Sequence, residues 1–201
     1  MLTMLLTSFM ISATPSLTNF DAANWTLLEE KNGISLYSWE VPGAGIPAYK
    51  SETNLDFPME KIATVIGEIG RRTDWTPDLN TSEIIRKISD TEWIERWTMS
   101  APMVDDREFV FHTQMTRDPK TKAILIRFHS VEEFLISEKY VRGWIYGGYY
   151  RLNEIEGGKS THIEHAVHVS IKGAVPNWLV TSTLRPNTRK TLEGLKRQLK
   201  K

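Results

Sequence analysis

The chain has 201 residues, with 25 basic and 25 acidic side chains and no cysteine. Zero net charge argues against general nucleic-acid binding, and the lack of cysteine removes disulfides, thiolate metal sites and a cysteine nucleophile while leaving the compartment open. The length fits one domain with a sizeable core.

The segment Met1 to Ala13 is apolar and uncharged. It is too short to span a bilayer. With Ser12, Ala13 and Thr14 behind it, it suits the apolar part of a secretory signal, although no Lys or Arg precedes it. Residues 1–20 are therefore read as a signal peptide or N-terminal extension, and 21–201 as the folded domain. The expected location is periplasmic or secreted if the segment is a signal, and cytoplasmic otherwise.

From Asn24 to Glu30 the chain predicts a short helix, and Asn32-Gly33 a turn. Ile34, Leu36 and Trp39 alternate with polar neighbours as in a strand, and Ala48 to Phe57 is a second strand. Asp56 is placed to cap a helix, with Pro58 just inside it and an apolar face running to about Arg72. A long all-strand region follows. Ser82 to Ile88 and Thr91 to Met99 form a hairpin, then come Asp106 to Thr116, Lys122 to Ser130, Val141 to Asn153 and Ser160 to Ile171. The chain ends in a helix opened by Pro176 and Trp178, with Val180, Leu184, Thr188, Leu192, Leu195 and Leu199 in one stripe and Arg189, Lys190, Arg197 and Lys200 opposite. Pro186 interrupts its bonding to Ser182, and Gly194 permits close approach to what lies beneath. Successive strands with helices between and after them make an α+β domain, an antiparallel sheet curled around one long C-terminal helix.

The odd positions Trp93, Glu95, Trp97 and Met99 are more apolar than the even ones, so they face the helix. On the next strand Phe109, Phe111, Thr113 and Met115 face the same way. Two readings stay open: a filled core, or an apolar ligand cavity with few polar groups. Glu95 is the one carboxylate on this face, and buried it must pair with an arginine or hold a ligand hydroxyl or amine. His162, Glu164 and His168 share a face, but Ile163, Val167 and Val169 claim the interior, so the first three lie outward and no metal site is expected. No phosphate loop or nucleophile elbow is present, so no cofactor is expected.

An ordered set of segments runs through the chain: Asp106-Arg107-Glu108-Phe109-Val110, Tyr140-Val141-Arg142-Gly143, Gly148-Tyr149-Tyr150-Arg151-Leu152, Ser160-Thr161-His162 and Lys172-Gly173-Ala174-Val175-Pro176-Asn177-Trp178. Trp25, Asn32-Gly33-Ile34 and Asp74-Trp75 precede it. This series, covering roughly Asn24 to Leu199, resembles the START family, the lipid-transfer domains related to steroidogenic acute regulatory protein. The resemblance implies a helix-grip fold, a curved antiparallel sheet wrapped on the C-terminal helix around a lipid-sized apolar tunnel. It also implies non-enzymatic binding and transfer of one phospholipid, sterol or related lipid by a monomer that touches a membrane transiently.

By the same resemblance Val131 to Lys139 is a lid, with Phe134, Leu135 and Ile136 at its tip and Trp178 as a further membrane contact. Trp93, Glu95, Trp97, Met99, Arg107, Phe109, Phe111, Thr113, Arg142 and Leu184 are the candidate ligand-binding residues. Arg107 matches the arginine of the family's Arg-Asp-Phe segment, with Glu108 in place of aspartate. The acid–arginine pair of sterol carriers is not preserved, since Thr113 stands near the arginine's position. The rivals are a cyclase- or hydrolase-type enzyme on the same scaffold, for which Glu95 is the visible candidate group, and a binder of a small apolar metabolite.

Overall fold

The computed structural model describes residues 17–201 apart from 102, 103, 135, 136, 174 and 176. The apolar start Met1 to Ala13, the lid-tip residues Leu135 and Ile136, and Pro176 thus lie outside the described residues. Asn32 and Gly33 both have left-handed backbone, at φ 56° and 73°. That is the requirement of a two-residue hairpin turn whose twist matches the flanking strands. They join β1 (Thr26–Lys31) to β2 (Ile34–Trp39), with Lys31 opposite Ile34. The helix expected over Asn24 to Glu30 is therefore a strand. The turn aligns β1 with a partner whose backbone groups it satisfies, and that pairing overrides the helical preference of Leu27-Leu28-Glu29-Glu30.

After β3 (Ala48–Leu55) comes α1 (Met59–Gly67) and a 3-10 turn over Ile69–Asp74. The expected single helix to Arg72 breaks at Glu68, whose ψ of 70° is not helical. Pro58 rather than Asp56 occupies the cap, and no side chain bonds the exposed N–H groups. Beyond lie β4 (Leu79–Lys87), β5 (Glu92–Ala101), β6 (Val104–Arg117) and β7 (Ile124–Ser130). The predicted strand Val141 to Asn153 is split at Gly143 into β8 (Val141–Arg142) and β9 (Trp144–Ile155). A Cβ at Gly143 would stand 2.1 Å from the Phe109 ring, so only glycine passes there. β10 (Ser160–Ser170) and α2 (Asn177–Gln198) complete the chain.

The sheet runs β1-β2-β3-β10-β9-β7-β6-β5-β4, antiparallel along that order, with β8 added parallel to β6. This open antiparallel sheet with α2 across it is the expected α+β helix-grip architecture. α1 and α2 share its inner face. Met59, Ile62, Ala63 and Ile66 of α1 and Leu192, Leu195 and Leu199 of α2 join Phe109, Phe111, Ile126, Leu152 and Ile163 in one core. Each such side chain stabilises the fold by about 1.5–3 kcal/mol when fully buried.

The C-terminal half of α2 is fastened on all sides. Ser51 donates to the Thr188 carbonyl at 2.9 Å and Lys61 to the Leu199 carbonyl at 2.8 Å. Arg189, expected on the solvent side, instead bonds Glu29 of β1 at 3.1 Å and Glu193 at 2.5 Å. Gly194 rests on the backbone of Trp75.

Candidate ligand-binding cavity

Alternation along the strands turns one side-chain set inward, and the first half of α2 does not fill the space it faces. A cavity of about 130 Å³ remains between them. Its walls are Trp97 and Met99 of β5, Phe109 of β6, Phe128 of β7, Ile145 and Tyr150 of β9, Val167 and Val169 of β10, and Leu184 of α2. Its polar lining includes buried His165, Thr188 and Thr191 and, from the segment after Trp75 and from α2, Thr76, Asp78 and Asn187. Ser100, Arg107, Ile171 and Thr183 line it as well.

Of the ligand-binding candidates, the structure brings Trp97, Met99, Arg107, Phe109 and Leu184 to the cavity wall. Trp93, Glu95, Phe111 and Thr113 lie on the same sheet face, all 5 % exposed or less, but not along the cavity. Glu95, 1 % exposed, accepts from Trp93 Nε1 at 2.7 Å, Trp97 Nε1 at 2.9 Å and Thr113 Oγ1 at 2.8 Å. The arginine partner expected for it is absent at ion-pair distance among the described residues. Three neutral donors hold the carboxylate instead.

A buried cation does lie close by. Arg72, 3 % exposed, donates through Nε and Nη2 to the Ile66 carbonyl, at 3.0 and 2.6 Å. Those bonds satisfy a carbonyl near the point where α1 stops. Its guanidinium packs over the rings of Trp75, Trp97 and Tyr150, at 5.1, 5.4 and 5.8 Å from their centroids. Burial pushes the Tyr150 hydroxyl up to about 12. The His165 ring stacks on Tyr150 with centroids 4.4 Å apart. Burial first, and the nearby Arg72 charge second, hold this imidazole down at about 3, so it is uncharged at neutral pH.

The two arginines of the motifs serve the backbone. Arg107, 4 % exposed, donates to the carbonyls of Ile171 at 3.1 Å, Lys172 at 3.3 Å and Asp105, tying β6 to the segment leaving β10. Arg142 donates to the carbonyls of Phe134 at 2.9 Å and Val131, so it holds a loop and does not line the cavity. Phe134 covers Arg86, 4.6 Å from ring centroid to guanidinium, and Arg86 sits opposite Ile94 on the outer face of the sheet. The described part of the expected lid, Val131 to Lys139, is held by Arg142 and touches Arg86 through Phe134, while Met99, Ser100 and Thr183 line the cavity. Trp178, at the start of α2, is 65 % exposed.

Sequence reasoning passed over Tyr150, His165 and Thr188. His165 follows Ile163 and precedes Val167 on the inward alternation, so that signal was present. On the outer face His162 meets Asn54 and Glu164 takes the Tyr149 hydroxyl, whereas His168, expected to be solvated, is 2 % exposed beneath Thr18 and the Ile46 carbonyl.

Known proteins share this arrangement. The STAR-related lipid transfer protein fragment of Xanthomonas axonopodis is 25 % identical and superposes with a TM-score of 0.79 over 88 % of this chain and 99 % of that one. Human StAR-related lipid transfer protein 5 is 22 % identical, with a TM-score of 0.80 over 90 % of this chain and 88 % of that one. The Zhui aromatase/cyclase of a Streptomyces species has the same fold more distantly, 11 % identical with a TM-score of 0.54 over 76 % of this chain and 93 % of that one. The sequence profile of the START domain matches residues 16–201, and the chain belongs to the START domain family.

Proposed function

We propose that the protein binds a single lipid between its sheet and α2 and carries it between membranes without chemical change. The observation that carries this reading is the cavity, whose exposed wall is mostly apolar. The names of the Xanthomonas and human relatives support it. At about 130 Å³ the cavity is smaller than the roughly 300–1,000 Å³ of ligand pockets in general. A lipid therefore enters only as the wall yields. The first half of α2 is the segment able to yield, since between Trp178 and Asn187 only Val180 is buried.

The start of α2 meets a membrane in this reading. Exposed Trp178 suits the interface between headgroups and acyl chains, and exposed Arg185 and Lys190 add attraction to anionic lipid, on the order of 1 kcal/mol each. The protein acts as a monomer in this scheme. An enzymatic role on the same scaffold finds less support. A general acid or base works best with a pKa near the operating pH, and Tyr150 and His165 are driven from it in opposite directions, to about 12 and about 3.

The test is native mass spectrometry of the purified protein, followed by extraction and lipid identification. One stoichiometric, chemically intact lipid is expected. A bare protein that takes up neither phospholipid nor sterol from vesicles refutes the proposal.

A further inference from the structure

We propose that a row of packed aromatic rings, with Trp97 at its accessible end, floors the cavity and sets the length of apolar chain that the protein accepts. This rests on the lipid-binding reading and adds to it a selection by length, for one chain of about eight carbons.

Five rings follow one another from β5 to β10. Trp97 meets Phe111 edge-on with centroids 5.0 Å apart, Phe111 and Phe128 stand 6.0 Å apart, Phe128 and Tyr150 6.0 Å, and Tyr150 and His165 4.4 Å. Trp97, Phe128, Tyr150 and His165 line the cavity, whereas Phe111, Glu95 and Arg72 do not. Those three therefore hold the row from the side away from the cavity. Arg72 packs over both Trp97 and Tyr150 and is itself fixed to the Ile66 carbonyl. Of the aromatic side chains lining the cavity, Phe109, Phe128, Tyr150 and His165 are buried, and Trp97 alone is only partly so.

This floor cannot retreat. Trp97 Nε1 donates to Glu95 at 2.9 Å, so turning the indole away would strip a donor from a buried carboxylate. Its edge contact with Phe111 and the guanidinium over its face oppose the same motion. Beyond the row the inner face is packed: Phe111, Ile126, Leu152 and Ile163 are 2 % exposed or less and join α1 in the core. The α2 side differs, since Thr183, Leu184 and Asn187 of the cavity wall are only partly buried. Room is gained there sideways, and depth is not gained at all. At about 130 Å³ the cavity approaches the roughly 150 Å³ of an apolar cavity that holds one benzene, so about six to eight carbons fill it. Carbons beyond that number find no further wall to cover them.

The test is isothermal titration calorimetry of the full chain with straight-chain primary alcohols from butanol to dodecanol. Each added methylene is expected to tighten binding about fourfold up to about octanol, and by less than about 1.5-fold beyond it. Trp97→Leu replaces the indole by a smaller side chain and should carry this break about two carbons further. Leu184→Ala enlarges the cavity at the α2 wall instead, so it should weaken every alcohol and leave the break in place. A merely structural role of Trp97 would weaken all alcohols alike without moving the break. An unbroken rise to dodecanol in the unmodified protein overturns the proposal, and that series needs no variant to fold. So does a break that stays in place in Trp97→Leu, or one that moves as far in Leu184→Ala. If Trp97→Leu does not fold, Trp97→Phe, which keeps a ring, takes its place with a shift of about one carbon. An unbroken rise leaves the lipid-binding reading standing. If no alcohol binds, the length selection falls, and if vesicles also yield no lipid, the lipid-binding reading falls with it.

Discussion

Replacing Gly194 by alanine sets two calculable effects against each other. Alanine is favoured over glycine within a helix by about 1 kcal/mol, so on an exposed surface the change would stabilise α2. Here the added Cβ would stand 1.9 Å from the carbonyl oxygen of Trp75 and 2.9 Å from its carbonyl carbon. Both are backbone atoms, so no rotamer change relieves the overlap. Ordinary contact requires α2 to lift by more than about 1 Å, the shortfall from van der Waals distance. That lift loosens Leu192, Leu195 and Leu199, all 1 % exposed or less. Overpacking of this kind costs about 1–3 kcal/mol, and more where nothing can rotate away. The clash therefore wins, with a net loss of about 2 kcal/mol and a fall in Tm of roughly 4–8 °C for a chain of this size. Urea unfolding followed by tryptophan fluorescence measures both. A variant as stable as the parent, or more so, would show that α2 does not press on Trp75.

Three further outcomes are expected. Glu95→Gln places an amide NH2 against at least one of the donors Trp93, Trp97 and Thr113, and should lower unfolding free energy by about 1–3 kcal/mol in urea; equal stability would mean the carboxylate is not held as described. His165 sits at about 3 in the fold against 6.5 when free, so below pH 6.5 the unfolded chain takes up a proton that the native chain refuses and stability falls down to about pH 3. Two pH units below 6.5 that amounts to roughly 3 kcal/mol, so the stability difference between the parent and His165→Phe should shrink by about that much from pH 7 to pH 4.5, and a constant difference refutes the buried neutral imidazole. Trp178→Ala, at an exposed site, should leave Tm unchanged yet weaken binding to anionic vesicles several-fold in a flotation assay; undiminished flotation would remove α2's start from the membrane contact.

The parts of the fold legible in the sequence are those governed by one period. The odd-numbered set on β5 and β6 and the stripe on α2 each follow from a repeat of side-chain direction, so they place the cavity wall at Trp97, Met99, Phe109 and Leu184. What was illegible depends on partners distant in the chain. Asn24 to Glu30 reads as a helix until the left-handed pair Asn32-Gly33 brings β2 alongside. The acid–arginine pairing expected of Glu95 fails because two indoles on its own strand reach the carboxylate, while the 3-10 turn delivers Arg72 to the end of α1 instead. The contacts of the expected lid were equally illegible, since Arg142 and Arg86, 8 and 48 positions away, are what Phe134 meets.

The two halves of α2 are unequal, and Pro186 stands between them. Beyond it Thr188, Thr191, Leu192, Leu195 and Leu199 are buried, with Gly194 against Trp75. Before it the helix roofs the cavity and carries exposed Trp178. Proline cannot donate to the Ser182 carbonyl, so the ladder is interrupted where the anchored half gives way to the roof. If the roof swings about that point during loading, Pro186→Ala should stiffen it. Restoring one hydrogen bond contributes about 1 kcal/mol, well below the roughly 3 kcal/mol separating the two residues in an ideal helix, because the native backbone already accommodates the ring. Should opening break the restored bond, release slows by about fivefold, which is 1 kcal/mol expressed as a rate. Stopped-flow release of a fluorescent phospholipid from loaded protein to acceptor vesicles measures this, beside a urea titration of the same variant. Greater stability with an unchanged release rate would mean that the roof opens as a rigid unit, with its hinge before α2 and not at Pro186.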